Sequence, residues 1–233
     1  HDALPILKKL IIFFKKIKNT FLTPKWKSVY FNFDKKFTKN KRNNFFYLVL
    51  SKFWFLPYDV QNRYWYTADE KSKHSFKNYR ILDNSAKIML GKVKKYSINK
   101  NIKILDLGCN VGRHLNYLKK YNFKRLYGID IGRLPIKKSK IIFPKLKKVN
   151  LKCSSFENYL YKAKNNFFHI IYTHGATIEM TKPTFPLISH VSRVLKNDGY
   201  FILLIVENGH SYPRFWRYEF KKNNFSIIYD KKL

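Results

Sequence analysis

Two acidic residues at the ends of apolar runs carry the strongest chemical signal in this 233-residue sequence. Asp106 lies at the end of the run 102–107 and is followed by Gly108 and Gly112, while Asp130 ends the next run 24 residues later. Glycines at such a turn let the backbone bend sharply and bring free N–H groups close to a ligand. A carboxylate that ends the second strand can accept hydrogen bonds from both hydroxyls of a ribose. The pattern therefore indicates a site for a ligand that contains a ribose.

The glycine spacing argues against a nicotinamide dinucleotide as that ligand. The dinucleotide fingerprint is Gly-x-Gly-x-x-Gly. Here Gly108 and Gly112 are separated by three residues, so the fingerprint is not matched. A plain turn between a strand and a helix stays open as the alternative.

The residues around these positions alternate between strand and helix patterns. Strands are predicted at 102–107, 126–131, 148–153, 168–173, 200–206 and 226–229, and helices at 79–96, 114–121, 134–142, 156–163, 185–195 and 215–222. Short connections between alternating elements predict parallel strands with crossover helices on both faces of the sheet. Such sheets bind ligands beyond the carboxyl ends of their strands.

Four runs of the sequence together resemble a known family. They are ILDLGCNVGRHLNYL at 104–118, LYGID at 126–130, FFHIIYTHG at 167–175 and VSRVLKNDGYFILL at 191–204. In their order and spacing they resemble the class I S-adenosylmethionine-dependent methyltransferases, over about residues 100–206. The resemblance implies an α/β fold with a doubly wound, mostly parallel, Rossmann-like methyltransferase sheet. It also implies S-adenosyl-L-methionine as the cofactor.

The resemblance assigns cofactor contacts to four parts of this sequence. The glycine turn would cradle the methionine part, Asp130 would bind the ribose, the turn after the third strand would face the adenine, and the end of the fourth strand would lie beneath the sulfonium. The implied cofactor-binding residues are Asp106, Gly108, Asn110, Gly112, Asp130, Ile131, Ser154, Ser155, Phe156 and Thr173.

The sequence departs from the family pattern at four places, one of which is His169, where the family usually has aspartate at the start of the fourth strand. Asn110 stands where the family most often has glycine, and asparagine tolerates unusual backbone angles, so the turn can persist. Ser154 stands where an aspartate often holds the adenine amino group. The chain shown stops at Leu233, so the seventh strand of the family is expected to be absent or truncated.

Two polar loops are expected to supply the acceptor side of the site. His174 and Glu179 follow the fourth strand, and Glu207 and His210 follow the fifth. Histidine has a pKa suited to proton transfer near neutral pH. His174, Glu179 and His210 are therefore the candidate catalytic bases, with Glu207 as an alternative. No cysteine, histidine or carboxylate spacing indicates a metal site.

The acceptor class is inferred from the residues after the fourth strand and from the net charge. Adenine-N6 methylases of the family carry an Asn/Asp-Pro-Pro-aromatic run there, whereas this chain has Tyr-Thr-His-Gly at 172–175. That difference favours a small molecule, a sugar or a lipid precursor as the acceptor. The net charge of +34 comes from 39 lysines and only nine arginines, which is typical of AT-rich codon usage. A nucleic-acid (RNA) methyltransferase or binder, and a non-catalytic interaction domain with the cofactor fold, stay open as alternatives.

The first 96 residues are expected to form a mainly helical extension or lid, and residues 97–233 the cofactor-binding domain. Residues 4–22 have apolar positions at helical spacing with lysines between them, which is typical of a helix on an anionic membrane or of one packed on the protein's own core. Tyr64, Trp65 and Tyr66 would cover the cofactor or belong to the core of the extension. No apolar run is long enough to span a membrane, so a cytoplasmic location with peripheral membrane contact is expected.

Overall fold

The computed structural model describes residues 76–175, 181, 185–204 and 216–229, all of which lie in one compact unit. The expectations for residues 4–22 and 64–66, and for Glu179, Glu207 and His210, fall outside these residues. Within the described residues, the positions of most predicted strands and helices are confirmed to within a few residues.

Five parallel strands form the sheet within the described residues. They are β1 (Lys103–Leu107), β2 (Arg125–Asp130), β3 (Asn150–Cys153), β4 (Phe168–His174) and β5 (Leu195–Leu204), in the order β3-β2-β1-β4-β5. The neighbouring inner strands β1 and β4 are the most buried, as expected for strands covered on both faces. The predicted α/β fold with a doubly wound parallel sheet is confirmed.

In the described part of the chain, six α-helices connect or flank the strands. They are α1 (Asn84–Lys95), α2 (Arg113–Lys120), α3 (Arg133–Ile142), α4 (Phe156–Lys162), α5 (Leu187–Val194) and α6 (Trp216–Lys222), with short 3-10 turns at Phe76–Tyr79 and Pro144–Leu146. Alternate residues of β1 point to opposite faces, so Ile104 packs in one core cluster and Leu105 in another. The first cluster includes residues of α1 and α2, and the second includes residues of α4 and α5. Helices on both faces thus account for the two cores.

Helix α1 starts later than the pattern 79–96 predicts. Asp83 precedes it in an extended conformation, and its carboxylate accepts a hydrogen bond from the Ala86 N–H at 2.7 Å. Because of this N-cap the helix begins at Asn84, and Ile81 lies before it with its side chain 80% exposed. The buried face of α1, which includes Met89 and Leu90, packs in the same core cluster as α2. The division into 1–96 and 97–233 stays a prediction.

The predicted strand at 226–229 is wrong. The segment pairs with no strand among the described residues, and Ile228 is 61% exposed. After α6 the chain turns at Asn224, which has a left-handed φ of 61°, and the Phe225 N–H donates to the Phe220 carbonyl at 2.9 Å. The Tyr229 ring then lies under Lys92 of α1, 3.5 Å from Nζ to the ring centroid. The segment therefore lies beside α1, where it finds no strand to pair with.

Candidate functional site

The candidate site lies where the order of the strands reverses. β1 pairs with β2 on one side and with β4 on the other, so Leu107 is opposite both Ile129 and Thr173. The chain leaves β1 toward β2 and leaves β4 toward β5, which opens a crevice between the two departing turns. Residues at the carboxyl ends of β1, β2 and β4 therefore gather at one edge of the sheet.

The turn after β1, residues 108–112, has three left-handed residues at alternate positions. The φ angles are 84° at Gly108, 48° at Asn110 and 83° at Gly112. Asn110 holds this conformation because its side-chain oxygen accepts the hydrogen bond of the Val111 N–H at 2.8 Å. The Gly112 N–H donates to the Cys109 carbonyl at 2.7 Å, and α2 begins at the next residue. The expectation that asparagine preserves this turn is confirmed.

The carboxylate of Asp130 faces the glycine turn. Its Oδ2 accepts the Asn110 N–H at 2.8 Å and its Oδ1 accepts the Gly132 N–H at 2.7 Å. Burial raises the pKa of Asp130 to about 6, because lost hydration outweighs these two hydrogen bonds, and the nearby charge of Asp106 adds to the effect. Each carboxylate oxygen retains a lone pair, so a hydroxyl donor can still bind there.

A buried polar cluster, formed by Asp106, His114, Tyr172 and Thr173, lies below the same edge. Asp106 is 1% exposed, and its Oδ2 is 3.6 Å from His114 Nδ1. Among the described residues, none of the polar side-chain atoms of these four residues makes a hydrogen bond of good geometry, although the Tyr172 hydroxyl is close enough to Asp106 to interact with its carboxylate. Burial, together with the Asp106 charge, raises the pKa of Tyr172. Buried polar atoms rarely lack a good hydrogen bond, so this cluster is suited to bind polar groups of a ligand.

His174 ends β4 beside this cluster and is half-buried. Its Nε2 lies 3.0 Å from Ser85 Oγ, and its ring centroid lies 5.6 Å from that of His114. Burial lowers the pKa of His174, and the neighbouring His114 lowers it further. The ring is therefore neutral near neutral pH, as a proton acceptor must be.

The turn after β3 brings Ser154 next to the end of β2. The Ser154 N–H donates to the Asp130 carbonyl at 2.9 Å. Ser155 caps α4, since its Oγ accepts the Asn158 N–H at 3.2 Å, and Phe156 is 3% exposed within the core. Ile131 is partly buried and packs on the same core cluster as Phe156. The side chains of Ser155 and Phe156 thus have structural roles at these positions.

The sheet edge brings together most of the predicted site residues. The described ones at this edge are Asp106, Gly108, Asn110, Gly112, Asp130, Ile131, Ser154, Thr173 and His174. Sequence reasoning missed His114, Tyr172 and Ser85 as neighbours of this site. The position of His114, two residues after Gly112, was an available signal. No sequence signal placed Ser85 next to His174, which is 89 residues away.

The described part of the chain contains neither a membrane-spanning helix nor a metal site. No helix there has the length and apolar character needed to cross a membrane. No three of its histidine, cysteine, aspartate and glutamate side chains converge in a way that would hold a metal ion.

Comparisons with known proteins agree with this geometry. Residues 105–203 match the family model of the methyltransferase domain. A Staphylococcus aureus protein named "uncharacterized protein in ileS 3′ region" is 34% identical over 101 residues, which cover 40% of this chain and 76% of that protein. The crystal structure of the YcgJ protein of Bacillus subtilis is similar with a TM-score of 0.50 and 18% identity, over 60% of this chain and 67% of that chain.

A further solved structure is a TehB-like S-adenosylmethionine-dependent methyltransferase of Corynebacterium glutamicum. Its TM-score is 0.42 with 21% identity, over 52% of this chain and 62% of that chain, so this chain spans less than two thirds of its length. The residues matched by the family model include the glycine turn, Asp130, the buried polar cluster and His174.

Proposed function

Because this chain belongs to the class I S-adenosylmethionine-dependent methyltransferases, we propose that it transfers the cofactor's methyl group to a small molecule, a sugar or a lipid precursor. The transfer would take place above the carboxyl ends of β1 and β4. One observation carries the proposal: the Asp106 carboxylate is buried below the glycine turn beside His114 and Tyr172, and neither of its oxygens makes a well-formed hydrogen bond among the described residues.

The residues at this edge fit the cofactor of the family. A buried carboxylate is costly unless it is paired, and the cofactor's methionine part carries a cationic amine that can pair with Asp106. Asp130 faces the same turn and has lone pairs left for the two ribose hydroxyls. Asp106, the turn 108–112 and Asp130 would hold the cofactor, and Thr173 would lie beneath it. The bound cofactor supplies an electrophilic methyl group on a sulfonium.

The chain's own residues have two further tasks. They must align the acceptor with the methyl group and take up a proton if the acceptor atom starts protonated. His174 is the described residue suited to the second task, since it is half-buried at the end of β4 and has a lowered pKa. Glu179 and His210 stay predicted alternatives for the base.

The proposed acceptor class is supported by the residues after β4. Tyr172 and Thr173 are buried within the strand, and His174 and Gly175 follow them. The Asn/Asp-Pro-Pro-aromatic run that adenine-N6 methylases place here is absent from this position. We keep RNA as the second acceptor class because of the +34 charge. The proposed location is the cytoplasm.

Calorimetric titration with S-adenosylmethionine tests the cofactor site. The wild-type protein and an Asp198→Ala control, which alters an exposed acid on β5, should bind alike. Asp130→Ala should abolish measurable binding, because it removes the acceptor for the ribose hydroxyls. Equal binding by Asp130→Ala and the wild type would refute the proposed ribose contact.

A methyl-transfer screen with labelled cofactor tests the acceptor class. Small metabolites, sugars, lipid precursors and RNA are offered in parallel at two salt concentrations. Labelled RNA, with a rate that falls steeply with ionic strength, would overturn the small-acceptor proposal.

We also propose peripheral contact with anionic membranes through residues 4–22. Flotation with anionic liposomes should be lost when residues 1–22 are removed. Equal flotation of both forms would exclude this segment as the contact.

A further inference from the structure

We propose that Asp83 and Ser85 are positioning residues that fix the ring of His174, so that Nδ1 is the nitrogen that accepts a proton. The inference rests on the proposed function, in which His174 is the base at the end of β4. Asp83 caps α1 and Ser85 lies in its first turn, upstream of the residues that match the family model.

The direction of each hydrogen bond follows from the number of hydrogens available. Ser85 Oγ lies 2.6 Å from Asp83 Oδ1 and 3.0 Å from His174 Nε2. A carboxylate only accepts, and a serine hydroxyl has one hydrogen, so Ser85 donates to Asp83. Ser85 must then accept from His174, and Nε2 must carry the ring hydrogen. In the neutral ring, Nδ1 is left as the basic nitrogen.

Asp83 stays ionised, as this argument requires. Burial acts to raise the pKa of Asp83, but the hydrogen bonds from Ser85 and the Ala86 N–H, with the positive charge of Arg113, lower it to about 2. The N-cap bond fixes Oδ1 in place, and the Arg113 guanidinium lies 3.1 Å from Oδ2. Both carboxylate oxygens are therefore held while Ser85 donates.

Arg113 connects this arrangement to the glycine turn. It is the first residue of α2, directly after Gly112, and it also donates to the Ile81 carbonyl. The stretch before α1 is thus attached to the helix that follows the turn.

The other charged and titratable groups near His174 come from three elements. His114 and Arg113 of α2 lower the pKa of His174, while Asp83, the N-cap of α1, and Asp106 of β1 raise it less than burial lowers it. The hydrogen bond to Ser85 is the one that distinguishes the two ring nitrogens. Removing the Ser85 hydroxyl should therefore change which ring nitrogen of His174 carries the hydrogen, in addition to any change in the pKa of the ring.

Nuclear magnetic resonance measures this directly on the full chain. Long-range proton–nitrogen correlation of protein labelled with ¹⁵N-histidine reports which ring nitrogen is protonated, and His174→Gln identifies the signal among the seven histidines. We expect the Nε2–H form in the wild type. Ser85→Ala should shift the tautomer ratio toward Nδ1–H by about fivefold, as expected for the loss of one hydrogen bond. Ser85→Thr should retain the wild-type ratio.

Ser97→Ala is the matched control, because Ser97 lies just past the other end of α1 and the one hydrogen bond of its hydroxyl among the described residues goes to the Val93 carbonyl. An Nδ1–H form in the wild type, or an unchanged ratio in Ser85→Ala, would overturn the inference. The measurement needs neither cofactor nor acceptor, so its failure is distinct from failure of the proposed methyl transfer.

Kinetics add a second readout with an acceptor labelled in the screen. Ser85→Ala should lower kcat about tenfold with KM unchanged, and Ser85→Thr should restore it. A rise in KM with unchanged kcat would assign Ser85 to acceptor binding and contradict the positioning role.

Discussion

Lowering the pH from 8 to 5 should weaken the binding of S-adenosylhomocysteine about tenfold through Asp130. Burial raises the pKa of this carboxyl to about 6, so about one molecule in ten is ionised at pH 5. The ribose hydroxyls would donate to the ionised Asp130 carboxylate, so the pKa of Asp130 is lower in the complex than in the free protein. Affinity is then retained above pH 6 and lost below it, by about 1.4 kcal/mol per pH unit.

The stability of the free protein should respond to Asp130 with the opposite sign. The folded pKa of about 6 lies above the ordinary value of 3.8, so the folded state takes up a proton more readily than the unfolded state. The contribution of Asp130 to stability is therefore fully present below pH 3.8 and is lost as the pH rises through 6. The full size is on the order of 3 kcal/mol.

Calorimetry from pH 8 to 5 measures the affinity, and urea denaturation over the same range measures the free energy of unfolding. Asp130→Asn should bind more weakly and remove both pH dependences, whereas the exposed Asp198→Asn should leave both unchanged. A wild-type affinity that is constant across this range would refute the reasoning, as would the same pH dependence in Asp130→Asn.

Three stability predictions concern the elements that hold the site. Gly128→Ala should lower the melting temperature by about 2–10 °C, because the added Cβ would lie 2.6 Å from Leu115 Cδ1. Gly91→Ala, with open space around the added Cβ, should raise the melting temperature slightly. Equal shifts of the two variants in thermal denaturation would contradict this prediction. Arg193→Lys should cost about 1–3 kcal/mol in urea denaturation, since its guanidinium donates to the carbonyls of Leu160 and Ala163 where α4 ends; an unchanged midpoint would exclude that role. Ser155→Ala should cost about 1 kcal/mol through loss of the α4 N-cap, and Ser155→Asp should recover it; equal midpoints for all three forms would show that the cap is not needed.

The parts of the fold and site that could be predicted are those set by local chemistry. An apolar run followed by a glycine turn determines β1 and the start of α2, and the sequence places Asp130 at the end of the adjacent strand. Asn110 adopts the left-handed conformation because its own side chain bonds the next N–H. Each of these features depends on a few neighbouring residues, so spacing is enough to find it.

The remaining features depend on contacts between distant residues. Ser85 meets His174 across 89 positions, and nothing in either local sequence indicates the other. Residues 226–229 have strand-forming composition, but strand formation requires a partner, and this segment lies beside Lys92 of α1. Composition therefore predicts the tendency of a segment to form a strand, while packing against the rest of the protein decides whether the strand forms.

The packing of α1 determines how the protein can be divided for expression. A fragment restricted to residues 105–203 would contain the whole family match but would lose Met89, Leu90 and Val93 from one core. It would also leave Arg113 without its carboxylate and remove the α1 residues that share a core cluster with Ile170 and Tyr172 of β4. Such a fragment should aggregate or be degraded, so workable boundaries begin before residue 76, on the amino side of α1 and its cap.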